Sequence, residues 1–246
     1  MAAVLLSIVV PASQSSAATA IVRDGNTLQL GNVTYRLVEI DAPAVDQLCI
    51  DEHADVWTCG IEARDQLSKL IEGKQVRCDD LGEHPTYKKR HVGVCKVEGD
   101  TTSLSELMLR AGFAVVDDAA SSKYQTEQGH AYQQRLGLWK GCFVRPLAFR
   151  GGHKDSPLLG AACRADRDRE IREAMFPDNR VMPPGCPIKG KYAVRARVTG
   201  NLGIYHLQGC RSYPGLKQDR WFCSEEDAQE AGFRRAYNCR SPSKSK

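Results

Sequence analysis

Arg36 and Asp41 are the pair whose types and spacing most call for a chemical explanation. They fall in and just after a β-rich run, Val33 to Ile40, that stops at Asp41-Ala42-Pro43. On a regular strand Arg36 points to the face opposite Tyr35 and Leu37, so its guanidinium is aimed away from one packed surface. There it could brace a carboxylate, with Asp41 at hand, or clamp a phosphate. A second cationic group, Lys88-Lys89-Arg90-His91, reads as a solvated loop or, if it faces Arg36, as the other half of an anion site. Upstream, Asp24-Gly25-Asn26 is turn chemistry between two short strands. Farther on, His206, Cys210, Cys223 and Cys239 have the types of a one-His, three-Cys zinc site. They lack a C-x-x-C knuckle, and disulfides among Cys186, Cys210, Cys223 and Cys239 are the simpler reading, so zinc is not expected.

Several short motifs recur in a fixed order: Asp24-Gly25-Asn26-Thr27, the strand with Arg36, Asp41-Ala42-Pro43 with Gln47, Arg90-His91-Val92-Gly93-Val94, and Leu136-Gly137-Leu138-Trp139. Over about residues 20–150 they resemble the staphylococcal nuclease (thermonuclease) family. Its marks are D-G-D-T, a strand carrying R, D-[TA]-P-E-x-x-Q, Y-G-R-x-L-A and G-[IL]-W. The resemblance implies an OB-type β-barrel plus helices, an α+β fold, and hydrolysis of DNA or RNA phosphodiesters with calcium. It makes Arg36 and Arg90 the phosphate clamps, Asp41 a calcium ligand beside Asp24 and Asn26, and a carbonyl near Ala42 a further ligand. Such chemistry needs charge neutralisation at the phosphoryl oxygens and a positioned water.

Two positions depart from that pattern. Asn26 replaces the second aspartate of D-G-D-T, and Ala44 replaces the glutamate that would orient the water. Asp46 is the candidate substitute base. Where the family presents stacking aromatics after the strand matching Phe113 to Val116, this chain reads Asp117-Asp118-Ala119-Ala120, and two aspartates would repel a nucleic-acid backbone. The expected function is therefore binding of nucleic acid or another phosphate-bearing anion with impaired hydrolysis. The rivals are a working calcium-dependent nuclease and an envelope or acidic-polysaccharide-binding protein on a nuclease scaffold.

Periodicity supplies the elements that must position these residues. Ile61, Ala63, Leu67, Leu70 and Ile71 have helical spacing over Gly60 to Ile71, with Gly73 as the stop. Lys74 to Cys78 and His91 to Val97 read as strands, with Asp79 to Lys89 an exposed loop between them. Ser103 with Glu106 is a capping box opening a helix over Leu104 to Arg110. Tyr124 to Leu136 reads as a polar helix whose inner face is Ala131, Tyr132 and Leu136. Ser156-Pro157, Pro177, Pro183 and Pro184 mark residues 151–184 as a linker around a charged helical segment, Arg164 to Met175, that reads as a solvated spacer.

Composition sets the compartment and the charge. The chain has 246 residues and ten cysteines, an even number that in an exported protein reads as disulfides. Cys49 with Cys59 and Cys78 with Cys95 are the preferred bridges. Residues 2–10 are an apolar run too short to span a membrane, followed by Pro11 and Ala18-Thr19-Ala20, which reads as a signal peptide over residues 1–20 without the usual basic start. Periplasmic or secreted localisation follows. From Arg164 onward there are 17 Lys and Arg against 10 Asp and Glu, a surplus of seven positive charges, while the rest of the chain carries a net of three negative.

Residues 21–150 thus form one expected domain and residues 185–246 a small Cys-rich basic module. Its Cys186-Pro187-Ile188-Lys189-Gly190, Tyr205-His206 and Arg220-Trp221-Phe222-Cys223-Ser224-Glu225 resemble a module of succinoglycan-biosynthesis-type proteins. Lys189, Lys191, Arg195, Arg197, Arg234 and Arg235 are its candidate polyanion face, with Lys88 and Lys89 adding to the first domain.

Overall fold

The computed structural model describes residues 19–117 and 122–239. The expected leader, apart from residues 19 and 20, lies outside the described residues, as do Asp118, Ala119 and Ala120 of the expected repelling loop. Strands β1 (Ile21–Asp24), β2 (Thr27–Leu30) and β3 (Val33–Leu37) form a meander, followed by the short β4 (Ile40–Asp41). Cys49 and Cys59 bridge the loop that holds β5 (Cys49–Ile50) and β6 (Val56–Trp57) to helix α1 (Cys59–Ile71). The hairpin β7 (Val76–Glu83) and β8 (His91–Val97) is bridged by Cys78 and Cys95, which face each other in the ladder. Strand β7 runs five residues farther than its expected end at Cys78, because its added residues are exposed and carry no apolar alternation to announce them.

The capping box forms as expected: Ser103 accepts from the Glu106 N–H and opens α2 (Leu104–Arg110). After β9 (Val115–Val116) comes α3 (Ser122–Gln133). Its buried residues are Tyr124 and Ala131, while Tyr132 and Leu136, expected on the inner face, are exposed. The helix has ended by Gln133, and Arg135 at φ 53° turns the chain before Leu136.

The five main strands lie in the order β1-β2-β3-β8-β7, with β3 and β8 parallel, and β4 pairs separately with β9. Among the described residues no ladder joins β1 to β7, so the sheet is open where a closed barrel was expected, within the same α+β architecture. Leu28, Leu37 and Ile40 from the strands pack on Ala63 and Leu67 of α1 and on Leu104 and Met108 of α2. This core fixes the face of β3 that carries Tyr35 and Leu37, and so fixes the opposite face, where Arg36 projects.

The stretch after the nuclease-like region is not a solvated spacer. Strand β10 (Phe143–Val144), helix α4 (Pro146–Arg150) and strand β11 (Leu158–Leu159) lead to a Cys142–Cys163 bridge and to α5 (Asp168–Met175). Ile171 and Met175, one helical turn apart, join Phe149 and Phe176 in a second core. High charge on the outer face of α5 concealed that apolar pair. The C-terminal module follows: β12 (Ile188–Tyr192), α6 (Val194–Arg197), β13 (Gly203–His206), β14 (Arg220–Phe222), α7 (Glu225–Glu230) and β15 (Phe233–Arg235). Its strands run β14-β12-β13-β15 over a core of Tyr205, Phe222, Ala228 and Phe233, closed by Cys186–Cys223 and Cys210–Cys239.

Gly60 holds the site loop against α1. A Cβ there would lie 1.8 Å from the carbonyl oxygen of Ala44. Gly60→Ala is therefore expected to cost about 3 kcal/mol by overpacking and to lower the thermal midpoint by roughly 6–12 °C. A melting curve unchanged from wild type would show that the Pro43–Gln47 loop yields freely.

Candidate functional site

Strand β3 places Arg36 opposite Thr27 on β2 and Val92 on β8, and Arg90 enters the same area from just before β8. The two arginines meet across a single carboxylate. That carboxylate belongs to Glu230, at the end of α7 in the C-terminal module. Arg36 Nη1 donates to Glu230 Oε1 at 2.9 Å, and Arg90 Nη1 donates to the other oxygen, Oε2. Arg90 Nη2 also donates to Asp227 Oδ1 at 2.6 Å. Asp227 has a second task, because its Oδ2 accepts the Ser224 N–H and closes the capping box of α7.

Asp41 lies at the other end of the same cluster. Its Oδ1 accepts from Arg36 Nη2 at 2.9 Å and from Arg150 Nη2 at 2.6 Å. Arg150 Nη1 reaches the Ala42 carbonyl at 3.4 Å. Helix α4, started by Pro146 at its first turn, delivers Arg150 from its last residue. Asp24 lines the adjoining cavity and accepts the Asn26 N–H through Oδ1 at 2.9 Å, while Asn26 is buried with its Nδ2 donating to the Ile40 carbonyl.

These contacts decide the fit to calcium, which wants several unshared oxygen ligands. In this conformation one guanidinium, that of Arg150, already bridges the carboxylate and the carbonyl that the family resemblance assigns to the metal. The donor set does not fit calcium as it stands.

Asp46 is not available as a base. It is a buried bidentate partner of Arg220, at 2.8 Å for both bonds, and its Oδ2 also accepts the Trp221 N–H at 2.9 Å. Each side chain of the pair is 2% exposed. Sequence spacing put Asp46 near Ala44 but could not show a partner 174 positions away. Asp46 and Arg220 line the rim of the same cavity, which at about 50 Å3 has room for a few waters but not for a nucleotide.

Burial opposes the charge on Arg36 and Arg90, but Glu230 with the surrounding aspartates outweighs it and raises both guanidinium pKa values. Burial likewise opposes the charge on Glu230, yet Arg36, Arg90 and Arg150 hold its carboxyl below the usual range. For Asp227 burial prevails over Arg90 and pushes the carboxyl up. A carboxylate held low and bound to two arginines is a poor proton acceptor at neutral pH. Glu230 thus does not replace the base missing at Ala44.

The candidate polyanion residues are dispersed. Lys189 is turned inward, with its Nζ donating to the carbonyls of Tyr213 and Leu216. Arg234 lies over the Tyr237 ring and donates to the Arg235 carbonyl, and Arg235 pairs with Glu225 at 3.7 Å. Lys88 is exposed beside Glu83, and Lys89 lines a groove shared with Arg90, Glu226 and Asp227. The face that the C-terminal module presents to Arg36 and Arg90 is the acidic helix α7, despite the module's basic total. His206 and Cys210 do lie close to Cys239, but Cys210 and Cys239 are bonded to each other and Cys223 is bonded to Cys186. All ten cysteines are bridged.

Arg150, Arg220, Asp227 and Glu230 were missed from sequence. The Ser224-x-x-Asp227 pattern announced a capped helix but not what the helix faces.

A family model described as staphylococcal nuclease homologue matches residues 34–141. The chain is also similar to the succinoglycan biosynthesis protein ExoI of Rhizobium meliloti (strain 1021), 27% identical over 154 residues, which are 62% of this chain and 79% of that protein.

Proposed function

From the premise that residues 34–141 are a staphylococcal nuclease-type domain, we propose that the protein is an exported binder of nucleic acid or another phosphate-bearing anion, with phosphodiester hydrolysis impaired. The observation that carries this reading is the convergence of Arg36 and Arg90, from the β3–β8 side of the sheet, on the two oxygens of one carboxylate. Two guanidinium groups set to grip two oxygens of one anion are suited to the two non-bridging oxygens of a phosphodiester. Impaired hydrolysis is supported by Ala44 in place of a carboxylate, by Asp46 locked to Arg220, and by Arg150 on the oxygens a calcium ion would need. Ten bridged cysteines favour an oxidising compartment, periplasmic or extracellular.

Incubating the protein with single-stranded DNA and RNA, with and without calcium, tests the reading. Binding that is lost in Arg36→Ala, with no calcium-dependent cleavage, is the expected result. Calcium-dependent cleavage abolished by both Arg36→Ala and Arg90→Ala would make the protein a working nuclease instead.

A second reading, binding of an acidic polysaccharide, draws on the name of the similar ExoI protein and on a separate cavity of about 200 Å3. That cavity is lined by Lys154, Arg180, Lys191 and Lys217 with the rings of Phe176 and Tyr192. Saturable binding of an anionic polysaccharide that survives Arg36→Ala and fails in Lys154→Ala with Lys217→Ala is its signature.

A further inference from the structure

Asp227 and Glu230 are separated from Arg90 by 137 and 140 positions in sequence, yet they provide its carboxylate partners. Glu230 is 14% exposed at its side chain and Arg90 only 2%, so this is a desolvated contact between modules. Surface charge pairs contribute little, but buried ones hold their geometry strongly and are costly to leave half made.

The arrangement of oxygens is what a phosphate would offer. The two Glu230 oxygens are shared out one to Arg36 and one to Arg90, and Asp227 adds a third oxygen on the far side of Arg90. From the C-terminal module Trp221, Phe222, Cys223, Asp227, Glu230 and Ala231 all line the 50 Å3 cavity. No phosphodiester can reach Arg36 and Arg90 while Glu230 is in place, because both would need the same donors.

We propose that α7 is an internal phosphate mimic: Glu230, supported by Asp227, occupies the anion site of the nuclease-type domain, and the site opens when a phosphodiester displaces it. The proposal rests on the reading of Arg36 and Arg90 as a phosphate site. It adds that the site is closed by the protein's own C-terminal module.

Opening does not require the module to leave. The Asp46–Arg220 pair and the Asp46 bond to the Trp221 N–H anchor β14 independently of Glu230. Cys223, just before α7, is tied to Cys186. Helix α7 itself has six residues and ends at Glu230, two positions before Gly232, whose φ of +80° marks the turn into β15. Local opening costs less than unfolding the whole chain, and here it leaves Ala228 in the module's core while Ala231 is drawn from it. The last turn of α7, with Glu230, is the part that yields, while β12 to β14 stay docked.

A ligand that needs a minor open state binds with its affinity reduced by the population of that state. Glu230→Gln keeps the size of the side chain and removes the charge. With a fluorescent single-stranded DNA octamer as probe, Glu230→Gln is expected to bind at least tenfold more tightly than wild type, and Arg36→Ala in the same chain is expected to abolish the gain. In wild-type protein, a measurement that does not depend on any variant's folding, saturating octamer should speed hydrogen exchange of amides in 225–231 and leave 203–206 unchanged. If wild type and Glu230→Gln bind equally and both lose binding on Arg36→Ala, and exchange in 225–231 does not respond, the phosphate site stands and the mimic is wrong. If neither chain binds, or binding ignores Arg36→Ala, the reading of the arginines as a phosphate site fails, and the mimic with it.

Discussion

Asp46→Ala is expected to destabilise the protein by about 3–5 kcal/mol, the cost of leaving a buried guanidinium without its carboxylate. The Arg220 side chain is 2% exposed and donates both of its short carboxylate bonds to Asp46. Its ring neighbours, Phe149 at 4.6 Å and Phe222 at 5.1 Å from the guanidinium carbon, offer no second acceptor. Burial works against the Arg220 charge, and Asp46 more than offsets it, holding the guanidinium well above its ordinary pKa. The Trp221 N–H loses its acceptor as well. A thermal midpoint lower by roughly 6–20 °C is the corresponding shift for a chain of this size. Adding Arg220→Met to Asp46→Ala should recover part of the loss, since it removes the unpaired buried charge. If Asp46 were a catalytic base, the single variant would keep the midpoint and change only turnover; a midpoint within 2 °C of wild type, on the order of the shift for a neutral surface change, would reopen that role.

The fate of Asp46 shows where sequence stops being informative. Helix α1, strand β8 and the capped start of α2 were readable because each is set by neighbours within one or two turns: apolar spacing, alternation, and Ser103 with Glu106. Arg36 and Asp41 were readable as a pair because five positions of strand and turn bring them together whatever the rest of the chain does. Arg90 needed only the adjacent strand β8. By contrast, Asp46, Asp41 and Arg90 each take a partner from a different segment, Arg220, Arg150 and Glu230, that lies more than 100 positions away. Net charge misled for the same reason. The C-terminal module is basic in total, but which of its side chains face Arg36 and Arg90 depends on docking, and docking presents α7 with Asp227 and Glu230, and with Glu226 beside Lys89. A sum over residues carries the sign of a long-range field and no information about a contact.

Removing Arg150 is the second change with a large expected effect, because its guanidinium stands where a cation would sit. It donates to Asp41 Oδ1 at 2.6 Å and to the Ala42 carbonyl at 3.4 Å, two oxygens of consecutive residues. Asp41 keeps Arg36 as a partner at 2.9 Å when Arg150 is lost, so the carboxylate is not orphaned and the fold should survive. The balance of charge does shift. Asp24, Asp41, Asp227 and Glu230 surround Arg36, Arg90 and Arg150 in the closed site, and Arg150→Ala leaves four carboxylates against two guanidiniums. Wild-type protein is expected to give no saturable calcium binding by calorimetry below about 10 mM, and Arg150→Ala to bind one calcium near the weak end of oxygen-ligand sites, about 1 mM. Asp41→Asn in the same chain should remove that binding, which ties the ion to the freed carboxylate and not to exposed acids elsewhere. Calcium bound equally well by wild type, with Asp41 still required, would show that Arg150 swings aside at no cost and that the guanidinium does not stand in for the metal.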